Sequence, residues 1–315
     1  MKGPVGPRPK TLEACVEKMW TAYTENESLA KRSIDGYCED ALRACKKLRD
    51  NGLNYYPWDI GAKDIKWLLD GYEKEGKTVQ TRRRYISALR TFTEFYGNET
   101  IKQLKIRWPH DERKNADWLS REQAAKLYDL DLTPLELMIV HCELCLGLRR
   151  IEVIRLTVES FNHNVVHVLG KGSQGGKPRD LAYHRDTQGV LDLFLRYRND
   201  MIAAVKSSTT KDVEVPDNLL IYRKGKALFP YAEKGTGIDA IVKTLGERIG
   251  YPDISNHTLR RTFARILYKD GVKLEVISNL LGHDSVAVTI KYLGIDLDSQ
   301  RDAMGVFSLR RRGHE

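Results

Sequence analysis

The chain has 315 residues, of which 41% are hydrophobic and 30% charged, a composition typical of a globular protein with two domains. Its apolar runs are far shorter than the roughly 20 residues that span a bilayer, and no apolar segment follows the basic N-terminus. The sequence therefore predicts neither a membrane span nor a secretory signal, and we expect a cytoplasmic protein.

Net charge and cysteine content further limit the kinds of protein that the sequence can encode. The net charge is +9, with 23 Lys and Arg against 18 Asp and Glu up to residue 117 and 29 against 25 beyond it. A nucleic acid that contacts both halves would explain this balance, and solvated surface charge is the alternative. The five cysteines are odd in number and lie in helix-like sequence, which argues against a disulfide framework. Cys142 and Cys145 form a lone CxxC without further ligands, so we expect no metal site.

The first hundred residues predict a small helical domain. Residues 1–10 hold three prolines and two glycines and are typical of a disordered tail. Helical stretches follow at 12–25, 28–50, 62–76 and 78–97, and no alternating strand pattern appears among them. We place this helical domain at residues 11–107.

The helix at 78–97 combines an apolar stripe with a basic face. The stripe has helical spacing and consists of Tyr85, Leu89, Phe92 and Tyr96. We expect it to pack on the bundle, while the arginines of this helix face outward and contact DNA phosphates; these are Arg82, Arg83, Arg84 and Arg90. A merely solubilising face is the alternative.

A polar linker at 108–117 leads to a second domain that we place at 118–305, with a tail at 306–315. Ser120 and Gln123 predict a capping box at its first helix. Two apolar helices broken near Gly147 follow within 133–160, and residues 165–183 read as a β-hairpin around a glycine-rich turn. Further helices and one short strand in LLIYR complete a mainly helical domain with a small antiparallel sheet.

The last helices carry polar residues in apolar-periodic sequence. Ser255 predicts a helix cap, and His257 and Arg260 then share one face because they are three residues apart. Gly282 stops the next helix and delivers His283, and the following helix presents Tyr292. Each of these residues, considered singly, has an ordinary packing explanation.

The order of five short motifs along the chain points to a catalytic site rather than to ordinary packing. GLRRIE (147–152), GKG (170–172), HTLR (257–260), LGH (281–283) and a tyrosine nine residues later occur in sequence. This series resembles the tyrosine recombinase (phage integrase) family over roughly residues 118–300. The resemblance implies a catalytic set of Arg149, Lys171, His257, Arg260, His283 and Tyr292, while Glu152 braces the arginine helix.

The implied chemistry is cleavage of a phosphodiester without metal, ATP or another cofactor. Tyr292 would attack and form a 3′-phosphotyrosine link, and Arg149 and Arg260 would stabilise the phosphate oxygens. Lys171 would protonate the departing 5′-oxygen, His257 would transfer a proton and His283 would bond a phosphate oxygen. No carboxylate cluster or Cys/His ligand set accompanies these motifs.

Two departures from the family pattern leave questions open. The hairpin GKGSQGGKPR is about two residues longer than the usual GKGxKxR, so Lys177 rivals Lys171 as the reactive lysine. With Lys171 in that role, Lys177 and Arg179 would contact the DNA backbone. Only 23 residues follow Tyr292, and the sequence does not decide whether this tyrosine acts in its own protomer or in a neighbour.

The resemblance implies a site-specific recombinase that embraces duplex DNA between its two domains. Four protomers would exchange strands through a Holliday junction, starting from a monomer or dimer in solution, in a prokaryotic or viral setting at the nucleoid. Two alternatives stay open: a relaxing enzyme like a type IB topoisomerase, and a catalytically silent DNA-binding relative.

Overall fold

The computed structural model describes residues 7–25, 31–109, 117–170, 178–233 and 235–294, without the side chain of Arg32. These residues are mainly helical with small antiparallel sheets, which confirms the predicted fold class. They form two compact units, one on either side of residues 110–116. Within the described ranges, no helix has both the length and the apolar character needed to cross a membrane.

The first unit is a helical bundle. Its helices are α1 (Leu12–Glu25), α2 (Lys31–Arg49), α3 (Ala62–Lys74), α4 (Val79–Phe95) and the short α5 (Thr100–Gln103). Thr78 begins α4, since its hydroxyl accepts a hydrogen bond from the backbone N–H of Thr81 at 3.2 Å. Tyr85, Leu89 and Phe92 of the predicted stripe are buried, so burial of this stripe holds α4 in the bundle.

The second unit contains the remaining described helices. These are α6 (Arg121–Tyr128), α7 (Pro134–Leu144), α8 (Arg150–Arg155), α9 (Arg185–Ser207), α10 (Gly237–Arg248), α11 (Asn256–Lys269), α12 (Leu274–Leu281) and α13 (Val286–Leu293). The predicted break near Gly147 is present, and this glycine has φ +63°, a conformation that other residues adopt at a cost. The helix after the break ends at Arg155, earlier than predicted, and a 3-10 turn covers Val158–Ser160.

A three-stranded antiparallel sheet lies beside α8. Its strands are β1 (Phe161–Asn162), β2 (Val165–Leu169) and β3 (Pro178–Ala182), and the predicted hairpin is the β2–β3 pair, with Val168 opposite Arg179. A second hairpin joins β4 (Ile221–Lys224) to β5 (Ala227–Pro230). The sequence predicted β4 from the apolar run LLIYR but neither β1 nor β5, which have two and four residues and show no clear alternating pattern.

Capping boxes set the first residues of two helices of the second unit, α6 and α11. The Ser120 hydroxyl accepts from the Gln123 backbone N–H, and the Gln123 side chain accepts from the Ser120 N–H in return. Ser255 caps α11 by accepting from the Thr258 N–H at 3.2 Å. Both caps were predicted from sequence, and the second sets the start of the helix that carries His257 and Arg260.

Candidate functional site

The second unit brings most of the predicted catalytic residues into one place. The rings of His283 and Tyr292 meet edge to face with centroids 5.2 Å apart. The Tyr292 hydroxyl lies 3.5 Å from the carbonyl oxygen of His257 and donates to it. Arg149 and Arg260 both contact Glu152. Lys171 lies outside the described residues.

Glu152 is the buried centre of this site. Its carboxylate accepts one hydrogen bond from Arg149 Nη1 at 2.8 Å, two from Arg179 Nη1 and Nη2 at 2.8 Å each, and a longer contact from Arg260 Nη1 at 3.4 Å. Burial opposes ionisation, but hydrogen bonding and charge from Arg179 and charge from Arg260 outweigh it and lower the pKa of Glu152 to about 2. Glu152 therefore braces the arginines as a carboxylate.

The C-terminal end of α12 binds the same three guanidiniums. Arg179 Nε donates to the Leu280 carbonyl at 3.2 Å, Arg260 Nη2 to the Leu281 carbonyl at 2.5 Å, and Arg149 Nη2 to the Gly282 carbonyl at 3.5 Å. Carbonyls at a helix C-terminus lack partners within the helix and carry partial negative charge. The helix end thus satisfies its own acceptors while it orients the arginines beside His283.

Arg260 and Arg149 differ in exposure. Arg260 is 1% exposed, and its Nη1 also donates to the Gly147 carbonyl at 2.5 Å. Burial, followed by the positive charge of Arg149, lowers the pKa of Arg260 to about 10, so this side chain stays charged at neutral pH. The Arg149 side chain keeps 23% exposure. Arg149 is therefore the guanidinium that an incoming anion can reach first.

Both histidines are neutral at neutral pH. Burial and the charges of Arg260 and Arg149 lower the pKa of His283 to about 4. Its Nδ1 lies 2.8 Å from the hydroxyl of the buried Thr289. Desolvation by the surrounding protein, with the charges of Arg260 and Arg261, also lowers the pKa of His257. An imidazole in this state can accept a proton.

Tyr292 experiences two opposing effects. Burial raises the pKa of its phenol, and the charges of Arg260 and Arg261 act against that rise. The Arg261 guanidinium carbon lies 5.0 Å from the centre of the Tyr292 ring, within cation–π range. The hydroxyl is therefore protonated at rest and surrounded by positive charge that would stabilise its anion.

The predicted DNA-binding arginines of α4 fall into two groups. Arg83, Arg84 and Arg90 are exposed, as an outward basic face requires. Arg82 is buried and pairs with Glu73 at 3.0 Å, so it does not face outward as predicted. The reason is helical spacing: Arg82 lies one turn before the buried Tyr85 and Ile86, on the stripe itself.

The hairpin residues also depart from expectation. Lys177 lies outside the described residues. Arg179 was expected on the DNA backbone, yet its side chain is 12% exposed and its guanidinium binds Glu152 and α12. Alternation along β3 explains this placement, because Arg179 is on the same side as the buried Leu181. Such alternation was readable in the sequence, but the partners of the Arg179 side chain were not.

Further contributors were not identified from sequence. Thr289 orients His283, and Arg261 lies over Tyr292. Helical spacing could have suggested Arg261, since it lies four residues after His257 on α11. All five cysteines are free. Among the described residues no three His, Cys, Asp or Glu side chains are grouped as metal ligands.

Comparison with known families covers both units. Residues 117–297 match the phage integrase family, and residues 17–99 match the N-terminal SAM-like domain of phage integrases. The chain therefore belongs to the phage integrase family, and it is a site-specific tyrosine recombinase.

Individual relatives agree over most of the chain. Tyrosine recombinase XerD of Oceanobacillus iheyensis is 27% identical over 297 residues, which are 89% of this chain and 93% of that protein. Tyrosine recombinase XerA of Pyrococcus horikoshii is 22% identical, covering 94% and 95%. The fold is similar to XerH recombinase bound to difH substrate, with TM-score 0.64, 15% identity and coverage of 92% and 84%. It is also similar to the Tn1549 transposon integrase bound to circular intermediate DNA, with TM-score 0.65, 14% identity and coverage of 92% and 98%.

Proposed function

We propose that this recombinase cleaves and rejoins duplex DNA through a covalent link between Tyr292 and the 3′-phosphate of the cut strand. The observation that supports this proposal is the meeting of the Tyr292 phenol, two guanidiniums and the His283 imidazole at the end of α12, with the Tyr292 hydroxyl on the backbone carbonyl of His257. The phenolate oxygen forms the new P–O bond, the bond to the 5′-oxygen breaks, and the free 5′-hydroxyl later reverses the step. Because bond energy is kept in the ester, rejoining needs no ATP.

Each side chain has a role that its environment supports. Arg149 and Arg260 hold the non-bridging oxygens, since a guanidinium fork remains charged and binds two oxygens at fixed geometry. His257 takes the proton of Tyr292, since its lowered pKa leaves the imidazole neutral at neutral pH, with an acceptor nitrogen available. In the tautomer that this role requires, His283 Nδ1 accepts from the Thr289 hydroxyl 2.8 Å away, and its Nε2–H donates to a phosphate oxygen.

The remaining steps involve residues and partners beyond the described site. Lys171 protonates the 5′-oxygen, with Lys177 as its rival, and neither reaction step needs a metal. The helical domain at 11–107 and the catalytic domain at 118–305 both contact the duplex, which their shared basic charge supports. Four protomers on two DNA sites then exchange strands through a Holliday junction.

Covalent capture tests the chemistry and finds the DNA site together. Sheared genomic DNA from the source organism is incubated with the full chain, quenched in SDS, and protein-linked fragments are sequenced. We expect fragments that share one inverted-repeat core. A nicked suicide duplex with that core should give an SDS-resistant adduct with wild type and none with Tyr292→Phe, whose ring still packs on His283. Absence of any wild-type adduct despite DNA binding would leave only a silent DNA-binding relative.

Two further assays separate the remaining alternatives. Recombinant products from a plasmid with two copies of the core support recombination, whereas relaxation without such products supports the topoisomerase-like enzyme. We further propose that Tyr292 acts in its own protomer, because it lies against His257 and His283 of the same chain. Mixing Tyr292→Phe with Arg149→Gln should then leave cleavage absent, whereas donation between protomers would restore it.

A further inference from the structure

Arg179 occupies a position that no step of the proposed reaction uses. Its two terminal nitrogens bind the two oxygens of Glu152 at 2.8 Å each, and its Nε donates to the Leu280 carbonyl at 3.2 Å. A bidentate pair of this kind is stronger and more rigid than a single contact. All three nitrogens of the guanidinium thus have protein acceptors.

The acceptors of Arg179 are shared with the two arginines assigned to the phosphate. Glu152 also binds Arg149 and Arg260, and the carbonyls of Leu281 and Gly282 bind them in turn. Arg179 therefore joins β3, α8 and the end of α12 at the point where the other guanidiniums are held. The fit is close, because a Cβ added to Gly282 would lie 3.1 Å from Arg179 Cδ and Nη1.

We propose that Arg179 is a positioning residue: by occupying both oxygens of Glu152, it keeps the Arg149 guanidinium free to face the scissile phosphate. This inference rests on the proposed function. It also replaces the expectation from sequence that Arg179 contacts the DNA backbone.

The physical argument concerns how many hydrogen bonds one carboxylate can accept. An ionised carboxylate offers about four lone-pair sites. Here Arg179 takes one on each oxygen, the Arg149 backbone N–H takes another at 2.7 Å, and Arg260 Nη1 makes only the longer contact at 3.4 Å. Arg149 is left with a single side-chain bond to Glu152 at 2.8 Å. Without Arg179, two sites open, and Arg149 can turn inward to form its own bidentate pair, away from the phosphate.

Cleavage kinetics on the nicked suicide duplex separate positioning from DNA contact. In Arg179→Gln we expect the single-turnover rate at saturating DNA to fall by about 10- to 100-fold, since a small misplacement costs rate, while the duplex Kd and its salt dependence stay unchanged. Arg179→Lys keeps the charge but lacks the fork, and it should lose rate as well. The exposed Arg223, whose Nε donates to Gly225, supplies the control: Arg223→Gln should cleave like wild type.

A double-mutant cycle with Glu152→Gln tests the coupling. Because Arg179 acts through Glu152, Arg179→Gln should cost far less rate in the Glu152→Gln background than alone. Thermal unfolding checks each protein, and Arg179→Lys takes the place of Arg179→Gln in the cycle if the latter is too unstable. Independent, additive losses would overturn the proposal.

The same measurements identify which idea fails. A weaker Kd with a shallower salt dependence and an unchanged saturated rate would make Arg179 a phosphate contact and refute its positioning role. Wild-type cleavage with an equally fast Arg179→Gln or Arg179→Lys variant would refute this inference alone. A wild type that forms no adduct would refute the proposed function, and the inference with it.

Discussion

Two buried carboxyl groups of the second unit show how partners, rather than burial, decide protonation. Glu143 and Glu152 are 0% and 1% exposed. Glu152 is surrounded by guanidiniums and has a pKa of about 2. Neither oxygen of Glu143 has a hydrogen-bond partner among the described residues, and burial, with the charge of Asp239, raises its pKa well above the ordinary value. The guanidiniums thus hold Glu152 as a carboxylate, whereas burial opposes the ionisation of Glu143.

Glu143 is therefore a point where the fold loses stability. We expect Glu143→Leu to raise the free energy of unfolding by about 1–3 kcal/mol, because it removes a buried polar group without a partner. For a carboxyl whose folded-state pKa is raised, stability is full below the unfolded value of 4.5 and falls as pH rises. The gain should thus be larger at pH 8 than at pH 5 in urea unfolding.

Two comparisons make this test specific. Glu143→Gln removes only the titration, so it should flatten the pH dependence with a smaller gain, and the exposed Glu159→Gln should change neither. A destabilised Glu143→Leu at both pH values would contradict the prediction and imply that the carboxyl has a stabilising partner.

The protonation of His283 provides a second prediction for single residues. Its ring should titrate near pH 4 in the wild type, as followed by NMR of the Cε1–H signal. Because the charge of Arg149 helps to lower this pKa, Arg149→Gln should raise the midpoint toward 6.5, whereas Arg223→Gln should not. A wild-type midpoint near 6.5 would mean that neither burial nor the charges of the arginines lower the pKa of His283.

Among the helices of the second unit, α11 and α12 are each followed by a glycine with positive φ, and only the glycine after α12 contacts a residue of the site. Gly282 has φ +60° and closes the helix, and the space of its missing Cβ is taken by Arg179. Gly271 follows α11 with φ +81° and has no atom within 4 Å of an added Cβ. The two glycines share the backbone requirement and differ in what surrounds them.

Alanine at each glycine separates these two effects. Gly271→Ala should cost about 1–2 kcal/mol of stability from the left-handed conformation alone. Gly282→Ala should cost more and also lower the cleavage rate at saturating DNA, because Arg179 must move. Equal losses of stability, with cleavage unaffected in both variants, would show that the contact between Gly282 and Arg179 affects neither stability nor cleavage.

The elements around the site were largely readable from sequence, because their signals are local. The Ser255 cap places His257 and Arg260 on one helix face, and Gly282 ends α12 before His283. Capping and helical period depend on neighbours within four residues, so one sequence suffices to locate them.

The placement of two arginine side chains was not predicted from the sequence, because it depends on partners that local sequence rules do not identify. Arg179 meets Glu152 across 27 residues and Leu280 across 101, and no local rule links them. Arg82 was expected to face outward with its neighbours, although its pairing with Glu73 allows it to lie on the buried stripe. Charged side chains usually lie at the surface, but the carboxylate of Glu73 compensates the charge of Arg82 and allows it to be buried.

For the whole molecule, the distribution of positive charge indicates which parts of the chain can bind DNA phosphates. Positive charge is in excess both before and after residue 117, in the two stretches that contain the two compact units. Within the first unit, exposed arginines of α4 partly pair with acids, Arg84 with Asp40 at 2.9 Å and Arg90 with Glu94 at 2.7 Å. The partly exposed Arg90–Glu94 pair is weak, so a phosphate can compete for Arg90. Asp40 is buried but also pairs with Arg43 at 3.2 Å, so it keeps a partner when the exposed Arg84 binds a phosphate.

Salt dependence of duplex binding measures whether both units take part. Each phosphate contact contributes about −0.9 to the slope of log Kobs against log salt, so replacing the three exposed arginines (Arg83, Arg84 and Arg90→Gln) should make the slope shallower by up to about 3. A clearly negative slope should remain, because the second unit still binds. Arg82→Gln is the matched control on the same helix and should lower the stability of the first unit while the slope stays at the wild-type value. An unchanged slope in the triple variant would exclude α4 from the DNA interface, and a slope near zero would mean that the second unit contributes no phosphate contacts.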